Sequence, residues 1–310
     1  MDERDGLTER DGLTERDGLT ERDGLTERFE AQRGQLRAVA YRMLGSLDDA
    51  EDAVQEAWLR LGRVDADGVD NLGGWLRTVV TRICLDVLRS RRSRREDLAE
   101  QQVLDQAFRA QESPPEDEAL LTESVSRALL VVLDTLDPVE RVAFVLHDMF
   151  AVPFKEIAPI VGRTPVTTKK LASRARHKLR GTPAVPAAEL ARHRQVVSAF
   201  LTAARAGDLT AILAVLAPDV VRRADPAAVP PGGAAEVRGA RAVAEGTAAL
   251  AHRSRLAELA LVNGAVGVIV APRGRLVCVL AFVIVDGRIA EYDVIADPAR
   301  LRRLDLAVLD

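Results

Sequence analysis

The spacing of apolar residues changes along this chain, and the change limits the folds open to it. As far as residue 180 the apolar residues recur at helical intervals, whereas residues 259–270, 276–285 and 288–295 are rich in Val and Ile and are typical of strands. The strands are punctuated by turn-forming pairs: Asn263-Gly264, Arg273-Gly274 and Asp286-Gly287. This pattern predicts a multidomain protein, with all-α helical domains followed by an α+β domain that carries a meandering sheet.

Size and composition agree with several small cores. The chain has 310 residues, 47% of them hydrophobic and 29% charged, which suits two or three soluble domains. Aromatic residues make up only 4%, so aliphatic side chains must fill the cores. The formal net charge is -4, but basic residues cluster at 89–95 and 169–180, and it is local charge that decides whether a surface can bind nucleic acid.

The two cysteines, Cys84 and Cys278, lie far apart without ligand-like spacing. We therefore predict no disulfide framework, no metal site and no other cofactor, as expected for a chain in a reducing cytoplasm. No apolar run approaches the length needed to span a membrane, and the first residues are acidic and polar rather than those of a signal sequence. We expect a cytoplasmic protein with no membrane partner.

Residues 1–28 are repetitive. The unit Glu-Arg-Asp-Gly-Leu-Thr recurs from Glu3 to Thr26, and a step of six places its leucines on three sides of a helix rather than in one stripe. A glycine in every unit weakens a helix further. We predict a disordered extension without activity; a docking tail with several copies of one weak motif is the alternative.

The rest of the chain divides at two hinge-like segments. Residues 29–95 form one predicted helical domain, with Ser46 and Asp49 as a capping box at the start of an amphipathic helix. Residues 96–119 are a predicted linker that ends in Ser-Pro-Pro-Glu, 120–180 a second helical domain, 181–189 a second linker, and 190–310 the α+β domain, which opens with a helix over 190–216.

Residues 154–176 predict two helices separated by a glycine-containing turn. Thr164 is a natural N-cap and Pro165 a natural first residue for the second helix. One side of that helix is suited to packing and carries Thr168, Leu171, Ala172, Ala175 and Leu179. The other side is basic and carries Val166, Lys169, Lys170, Ser173, Arg174 and His177. Such a helix can enter a major groove, although a charged face that merely meets solvent is the common alternative.

Several motifs together resemble the extracytoplasmic-function sigma factors. Asp48-Asp-Ala-Glu-Asp-Ala-Val-Gln-Glu-Ala-Trp-Leu-Arg-Leu61 resembles the polymerase-binding helix of sigma region two, and Trp75-Leu-Arg-Thr-Val-Val-Thr-Arg-Ile-Cys-Leu-Asp-Val-Leu-Arg89 resembles its promoter-melting helix. Leu136-Asp-Pro-Val-Glu-Arg-Val-Ala-Phe-Val-Leu146 with the helix-turn-helix resembles region four. The resemblance implies two partners, core RNA polymerase (its β′ clamp and β flap) and promoter DNA.

The resemblance also implies roles for individual residues. Polymerase contacts fall on Asp49, Asp52, Gln55 and Trp58, with core packing an equal alternative for Trp58. The loop 65–74 would capture an extruded base of the minus-ten element, and Trp75, Arg77, Thr78, Thr81 and Arg82 would border the separated strand. Contacts to the minus-thirty-five element fall on Thr164, Thr167, Lys169, Lys170, Ser173, Arg174 and Arg176.

The last third resembles the SnoaL-like, or NTF2-like, cone fold that some of these sigma factors carry. Residues 195–209 look like its first helix and 216–220 like the turn that follows. Asp297-Pro-Ala-Arg-Leu301 approximates the Asn-Pro-Asp-Lys-Leu element of related sigma factors, whereas 225–229 departs from their Asp-Gly-Gly-Gly-Lys and the linker lacks their Trp-Leu-Pro-Glu-Pro. We place a cis-regulatory contact at Asp297, Pro298, Arg300 and Leu301.

Cone folds include enzymes, and the acid-base candidates in this domain are Asp225, His252, Tyr292 and Asp293. No dyad spacing singles them out and a fold does not license catalysis, so we predict that the chain is not an enzyme; an unidentified small ligand stays open. The leading hypothesis is a sigma factor that recognises minus-ten and minus-thirty-five elements, initiates transcription and is modulated in cis by its last domain. The alternatives are a helix-turn-helix regulator with a sensor domain and a DNA-tethered enzyme.

Overall fold

A computed structural model describes residues 6–64, 71–97, 126–229 and 232–309. The predictions made for residues 65–70, and for residues 98–125 in the linker and at the start of the second helical domain, lie outside these ranges. The chain divides into two compact units, Met1–Leu88 and Arg89–Asp310. Within the described residues no helix is both long and apolar enough to cross a membrane.

Three long helices form the described part of the first unit. They are α1 (Gly6–Leu44), α2 (Leu47–Leu61) and α3 (Leu72–Asp97), the last of which ends in the second unit. The structure differs from the prediction of a disordered extension, because α1 runs back through the repeats to Gly6. Three of every six residues in the repeat are Glu, Arg or Leu, which are good helix formers, whereas Asp, Gly and Thr are poor ones.

The start of α2 is as predicted. Ser46 adopts an extended N-cap conformation, and its hydroxyl oxygen accepts a hydrogen bond from the amide of Asp49 at 3.3 Å. The apolar face of α2 is buried along its length, at Ala50, Ala53, Val54, Ala57 and Leu61. The amphipathic pattern predicted from the sequence is therefore confirmed, and it fixes which residues of α2 face outward.

In the second unit, four helices form a block over residues 127–180. They are α4 (Arg127–Asp134), α5 (Pro138–Phe144), α6 (Phe154–Val161) and α7 (Pro165–Arg180), and α5 continues into one turn of π-helix at Val145–Met149. Leu130, Leu146 and Ile157 are fully buried in this block. Two buried charges of α5 are paired, Glu140 with Lys178 at 2.7 Å and Arg141 with Asp134 at 3.1 Å, as buried ions must be.

The α+β domain follows the helical block along the chain. Its elements are α8 (Ala187–Ala206), α9 (Leu209–Val215), β1 (Leu216–Ala224), β2 (Glu236–Arg238), α10 (Ala240–Ala248), α11 (Ala251–Ser254), β3 (Ala257–Val262), β4 (Ala265–Val270), β5 (Cys278–Val285), β6 (Arg288–Ile295), α12 (Pro298–Leu301) and β7 (Leu306–Ala307). The strands form one sheet in the order β2-β1-β6-β5-β4-β3-β7. Phe200 of α8 packs on Phe282 and Tyr292 of the sheet, with ring centroids 5.5 and 5.7 Å apart.

Two of the three predicted turn pairs form two-residue hairpin loops, whereas the third lies in a 3-10 turn, Pro272–Gly274, between β4 and β5. Asn263 and Gly264 join β3 to β4 with φ of 49° and 79°, and Asp286 and Gly287 join β5 to β6 with φ of 50° and 73°. Positive φ at both central residues is the geometry that makes Asn-Gly and Asp-Gly the preferred two-residue hairpin loops.

The predicted turn at residues 216–220 is wrong, because these residues open β1. That strand pairs in parallel with β6, and its register shifts between Leu216 and Val221. The shift accommodates Pro218, which cannot donate to a sheet ladder. The helix predicted over 190–216 is also interrupted: Gly207 adopts φ of 66°, and Asp208 then caps α9 by accepting from the Ala211 amide at 3.0 Å.

Candidate nucleic-acid interface

Helices α6 and α7 form the predicted helix-turn-helix. Gly162 ends α6 in the left-handed region at φ 66°, which a residue without a side chain adopts most easily. The hydroxyl of Thr164 then accepts from the Thr167 amide at 3.2 Å, and Pro165 occupies the first position of α7. The turn and the cap together fix where α7 begins.

The two faces of α7 separate as the sequence predicted. The buried residues are Thr168, Leu171, Ala172, Ala175 and Leu179. The exposed residues on the other side are Val166, Lys169, Lys170, Ser173, Arg174 and His177. Val166 is 68% exposed, so the surface is apolar at its start and basic beyond it.

Three of the predicted minus-thirty-five contacts also hold the fold. Thr164 is the cap, and its hydroxyl lies 3.0 Å from the hydroxyl of Thr167. Arg176 is half-buried and donates to Asp148 at 2.6 Å. Apart from the capping Thr164, the exposed side chains of the predicted set are Lys169, Lys170, Ser173 and Arg174, which form a single stripe at spacings of one, three and four residues. We call this set the basic stripe.

The predicted minus-ten residues on helix α3 differ in how far they are exposed. Arg82 is exposed, and Trp75, Arg77 and Thr78 are half-buried. Thr81 is fully buried, and its hydroxyl donates to the carbonyl of Arg77 at 2.7 Å. The burial of Thr81 argues against its predicted contact with a DNA strand, because its hydroxyl already makes its hydrogen bond inside the domain.

Helix α2 exposes two of its four predicted polymerase contacts. Asp52 and Gln55 lie on its outer face beside Leu59, which is 52% exposed. Asp49 is half-buried. The ring of Trp58 packs against Phe29 of α1 with centroids 4.7 Å apart, which favours the packing alternative for this residue.

The predicted cis-regulatory segment is tied to its own domain. Asp297 caps α12 by accepting from the Arg300 amide at 2.8 Å, and Arg300 forms an ion pair with Asp225. The other carboxylate oxygen of Asp225 accepts from the amides of Ala296 and Asp297, each at 3.0 Å. Pro298 and Leu301 are half-buried. Burial alone raises the pKa of Asp225, but the two amides and Arg300 outweigh it and leave the pKa lowered.

The acid-base candidates do not converge. Asp225 is committed to Arg300 and backbone amides, and His252 is exposed. The Tyr292 hydroxyl lies 3.1 Å from the hydroxyl of Thr247, and burial raises its pKa. No group of three or more His, Cys, Asp or Glu side chains with metal-binding geometry occurs among the residues that the structure describes.

One contact that sequence reasoning missed joins the helical block to the α+β domain. Glu258 of β3 accepts from the Ser126 hydroxyl at 2.7 Å, from the Ala128 amide at 3.0 Å and from Arg127 at 3.3 Å. Beside it, the Val308 amide donates to the carbonyl of Leu179 at 2.8 Å. We call these contacts the junction. Its partners are far apart in sequence, and no local pattern marks Glu258.

Comparison with known proteins agrees with these features. Family models for sigma-70 region 2 and sigma-70 region 4 match residues 29–94 and 126–179. The ECF RNA polymerase sigma factor SigJ of Mycobacterium tuberculosis (strain ATCC 25618 / H37Rv) is 39% identical over 246 residues, which is 77% of this chain and 78% of the relative. The probable ECF RNA polymerase sigma factor SigI of the same strain is 40% identical over 200 residues, 64% of this chain and 68% of the relative.

Among solved structures, the crystal structure of the M. tuberculosis extracytoplasmic function sigma factor SigJ is 34% identical, covers 89% of this chain and 98% of its own, and has a TM-score of 0.45. Both sigma regions are present here in chain order, and more than two thirds of each relative is spanned. The chain therefore belongs to the extracytoplasmic-function sigma factors, the subunits that bind RNA polymerase, recognise promoters and initiate transcription.

Proposed function

We propose that this sigma factor reads the minus-thirty-five element with the basic stripe of α7. The observation that carries the proposal is the complete separation of the two faces of α7. All five residues predicted to pack are buried, and the basic stripe opposite them is exposed. The chain is acidic overall, with 47 Asp and Glu against 43 Lys and Arg, so this local concentration of positive charge is what can attract phosphate.

The residue types of the stripe suit two kinds of DNA contact. Lysine binds phosphate as a compact charge, whereas Arg174 can bind a guanine edge with two parallel hydrogen bonds. The Ser173 hydroxyl can donate either to a phosphate or to a base edge. Arg176 is paired with Asp148, so its guanidinium supports the fold of the helical block rather than the DNA contact. We therefore assign positioning to Lys169 and Lys170 and base readout to Arg174.

The double substitution Lys169→Ala and Lys170→Ala tests this assignment in the holoenzyme. If both lysines bind phosphate, promoter affinity falls for every sequence, and the slope of log affinity against log salt falls by roughly 1 for each lysine replaced. The matched control is Arg302→Ala with Arg303→Ala, which removes two exposed charges from the α+β domain. Unchanged affinity and slope in the lysine variant would show that the stripe only meets solvent.

We assign the polymerase contact to the outer face of α2. Asp52 and Gln55 are exposed polar groups one turn apart, next to exposed Leu59, and the family resemblance directs them to the β′ clamp. Asp52→Ala with Gln55→Ala should weaken capture by core enzyme while helical content stays constant, because neither side chain packs in the core. Asp219→Ala with Gln195→Ala, exposed on the α+β domain, is the control; equal capture of both variants would contradict the assignment.

The α+β domain acts in cis, in this proposal, by holding the helical block through the junction. Support comes from Glu258, which supplies an acceptor to the first turn of α4, and from Val308, which bonds to the end of α7. A domain that contacts both ends of the helical block can favour one position of the block over another. It needs only to bind more strongly in one of the two positions. The segment 297–301 is a weaker candidate for this contact, since Asp297 and Arg300 bond within their own domain.

Run-off transcription by reconstituted holoenzyme tests the cis effect. Glu258→Ala should change the yield from a cognate promoter at limiting polymerase, while Glu245→Ala, which removes an exposed acid of α10 paired with Arg241, should leave it unchanged. Identical yields from both variants across a range of polymerase concentrations would remove the junction from the mechanism. The proposal places the protein in the cytoplasm with core polymerase and promoter DNA, and gives the α+β domain no catalytic role.

A further inference from the structure

The α+β domain contains a cavity of about 360 Å³ that the promoter and polymerase contacts do not use. It lies between α8, α10 and one face of the sheet. Its wall is mostly apolar and includes Phe200, Val243, Ala257, Val270, Leu280 and Val294. Its volume falls within the range of small-molecule sites, which are commonly apolar with a few placed polar groups.

The charged groups of the cavity have one sign. Arg222 and Arg253 line it, and both are half-buried. Among the described residues that form the wall none is acidic, and the nearby carboxylate of Asp225 is already paired with Arg300. Arg222 donates to the carbonyl of Ala234 at 2.7 Å, which fixes the guanidinium at the wall. Neutral polar groups are present as well, the hydroxyls of Thr247 and Tyr292.

We infer that this cavity binds a small carboxylic acid with an apolar body, the carboxylate facing the arginines. An apolar wall offers most of its contact area to hydrocarbon, and guanidinium groups are the preferred partners of carboxylates because their donors match both oxygens. A cationic ligand would meet two like charges in a site of low polarity, which is costly. The inference does not depend on the promoter and polymerase assignments.

The wall offers a position where the cavity can be filled without disturbing the fold. Gly246 lies in α10, is exposed at the edge of the cavity, and a Cβ atom built on it meets no atom within 4 Å. Leucine is also a better helix former than glycine. Gly246→Leu should therefore occupy cavity space while keeping α10 at least as stable. Gly34→Leu is the matched control, since Gly34 is an exposed helical glycine of α1 with equally open surroundings.

The experiment is isothermal titration calorimetry of the full chain with decanoate and naphthoate, and with decanamide and naphthamide as uncharged counterparts. At least one acid should bind, and its amide should bind ten-fold or more weakly. Gly246→Leu should abolish binding and Gly34→Leu should not. Arg222→Gln and Arg253→Gln should each weaken binding of the acid but leave the affinity for the amide unchanged.

Thermal unfolding of each variant shows that it is folded, and Ala242→Phe, at another exposed wall position of α10, replaces Gly246→Leu if that variant does not fold. Binding of neither acid would overturn the inference. Equal binding of acid and amide would overturn the ligand class, and full binding by both filled variants would place the ligand elsewhere.

Discussion

At the scale of single residues, Asp225 shows how a carboxylate can be structural where its position suggests chemistry. It was an acid-base candidate because cone folds use such groups. Burial would raise its pKa, but two backbone amides and Arg300 stabilise the ionised form more strongly, so the pKa is lowered. A carboxylate held ionised in this way is a poor general base and a good anchor for the segment that begins at Ala296.

We expect Asp225→Asn to destabilise the α+β domain by about 2 kcal/mol at neutral pH, because hydrogen bonds to a charged acceptor are lost. The folded-state pKa is lowered, so the stabilisation is fully present above the ordinary carboxyl pKa and is lost as pH falls through the folded value. The difference in free energy of unfolding between the native chain and the variant should therefore shrink on acidification. Urea unfolding over a pH series measures it, and a difference that is constant with pH would contradict the assignment.

At the scale of elements, the turn between α6 and α7 depends on backbone conformation rather than on side-chain contacts. Gly162 has φ of 66°, and a Cβ atom built there meets nothing within 4 Å. Any cost of substitution must therefore come from the left-handed conformation itself. Thr164 adds the cap that starts the next helix.

Gly162→Ala should destabilise the helical block by roughly 1–2 kcal/mol, the cost of an L-residue in the left-handed region, and Gly162→Asn should cost less. The control is Gly34→Ala, at a right-handed helical glycine with equally open surroundings, which should be stabilising by a few tenths to about 1 kcal/mol. Thermal unfolding compares the three. Equal effects of Ala and Asn at position 162 would mean that something other than φ sets the cost.

The elements also show what local pattern can and cannot predict. The cap at Ser46, both faces of α7 and two hairpins follow from signals within a few residues of one another, and the structure confirms them. The strand at 216–224 was missed because its parallel partner β6 is about seventy residues away and Pro218 lowers its strand propensity. Thr81 was assigned to the DNA strand by family resemblance, and the sequence did not reveal the packing that buries its side chain.

At the scale of the whole molecule, the features that sequence did not reveal are those made by distant segments. The cavity is lined from α8 through β6, and the junction joins residues about 130 positions apart. Ala257 lines the cavity and the next residue, Glu258, bonds to α4. Since successive residues of a strand face opposite sides of a sheet, one short strand carries both the candidate ligand wall and the contact to the helical block.

The junction should behave as a coupled unit in a double-mutant cycle of Ser126→Ala and Glu258→Ala. Ser126 donates to Glu258 at 2.7 Å, and the Ala128 amide donates to both side chains, at 3.1 and 3.0 Å. Either oxygen alone can still accept from the Ala128 amide, so neither single change leaves that amide without an acceptor, although Glu258→Ala also removes the ion pair with Arg127. Losing both leaves the Ala128 amide without an acceptor, and we expect an additional loss of about 0.5–3 kcal/mol.

Urea unfolding of the four proteins gives the coupling energy, and amide exchange at Ala128, whose amide donates to both side chains, locates it. Exchange there should rise far more in the double variant than the two single variants predict, because only the double variant removes both acceptors. The matched cycle uses Arg241→Ala and Glu245→Ala, an exposed pair within one helix, for which coupling should stay below about 0.5 kcal/mol. Additive effects at Ser126 and Glu258 would show that the α+β domain does not support the helical block at this point.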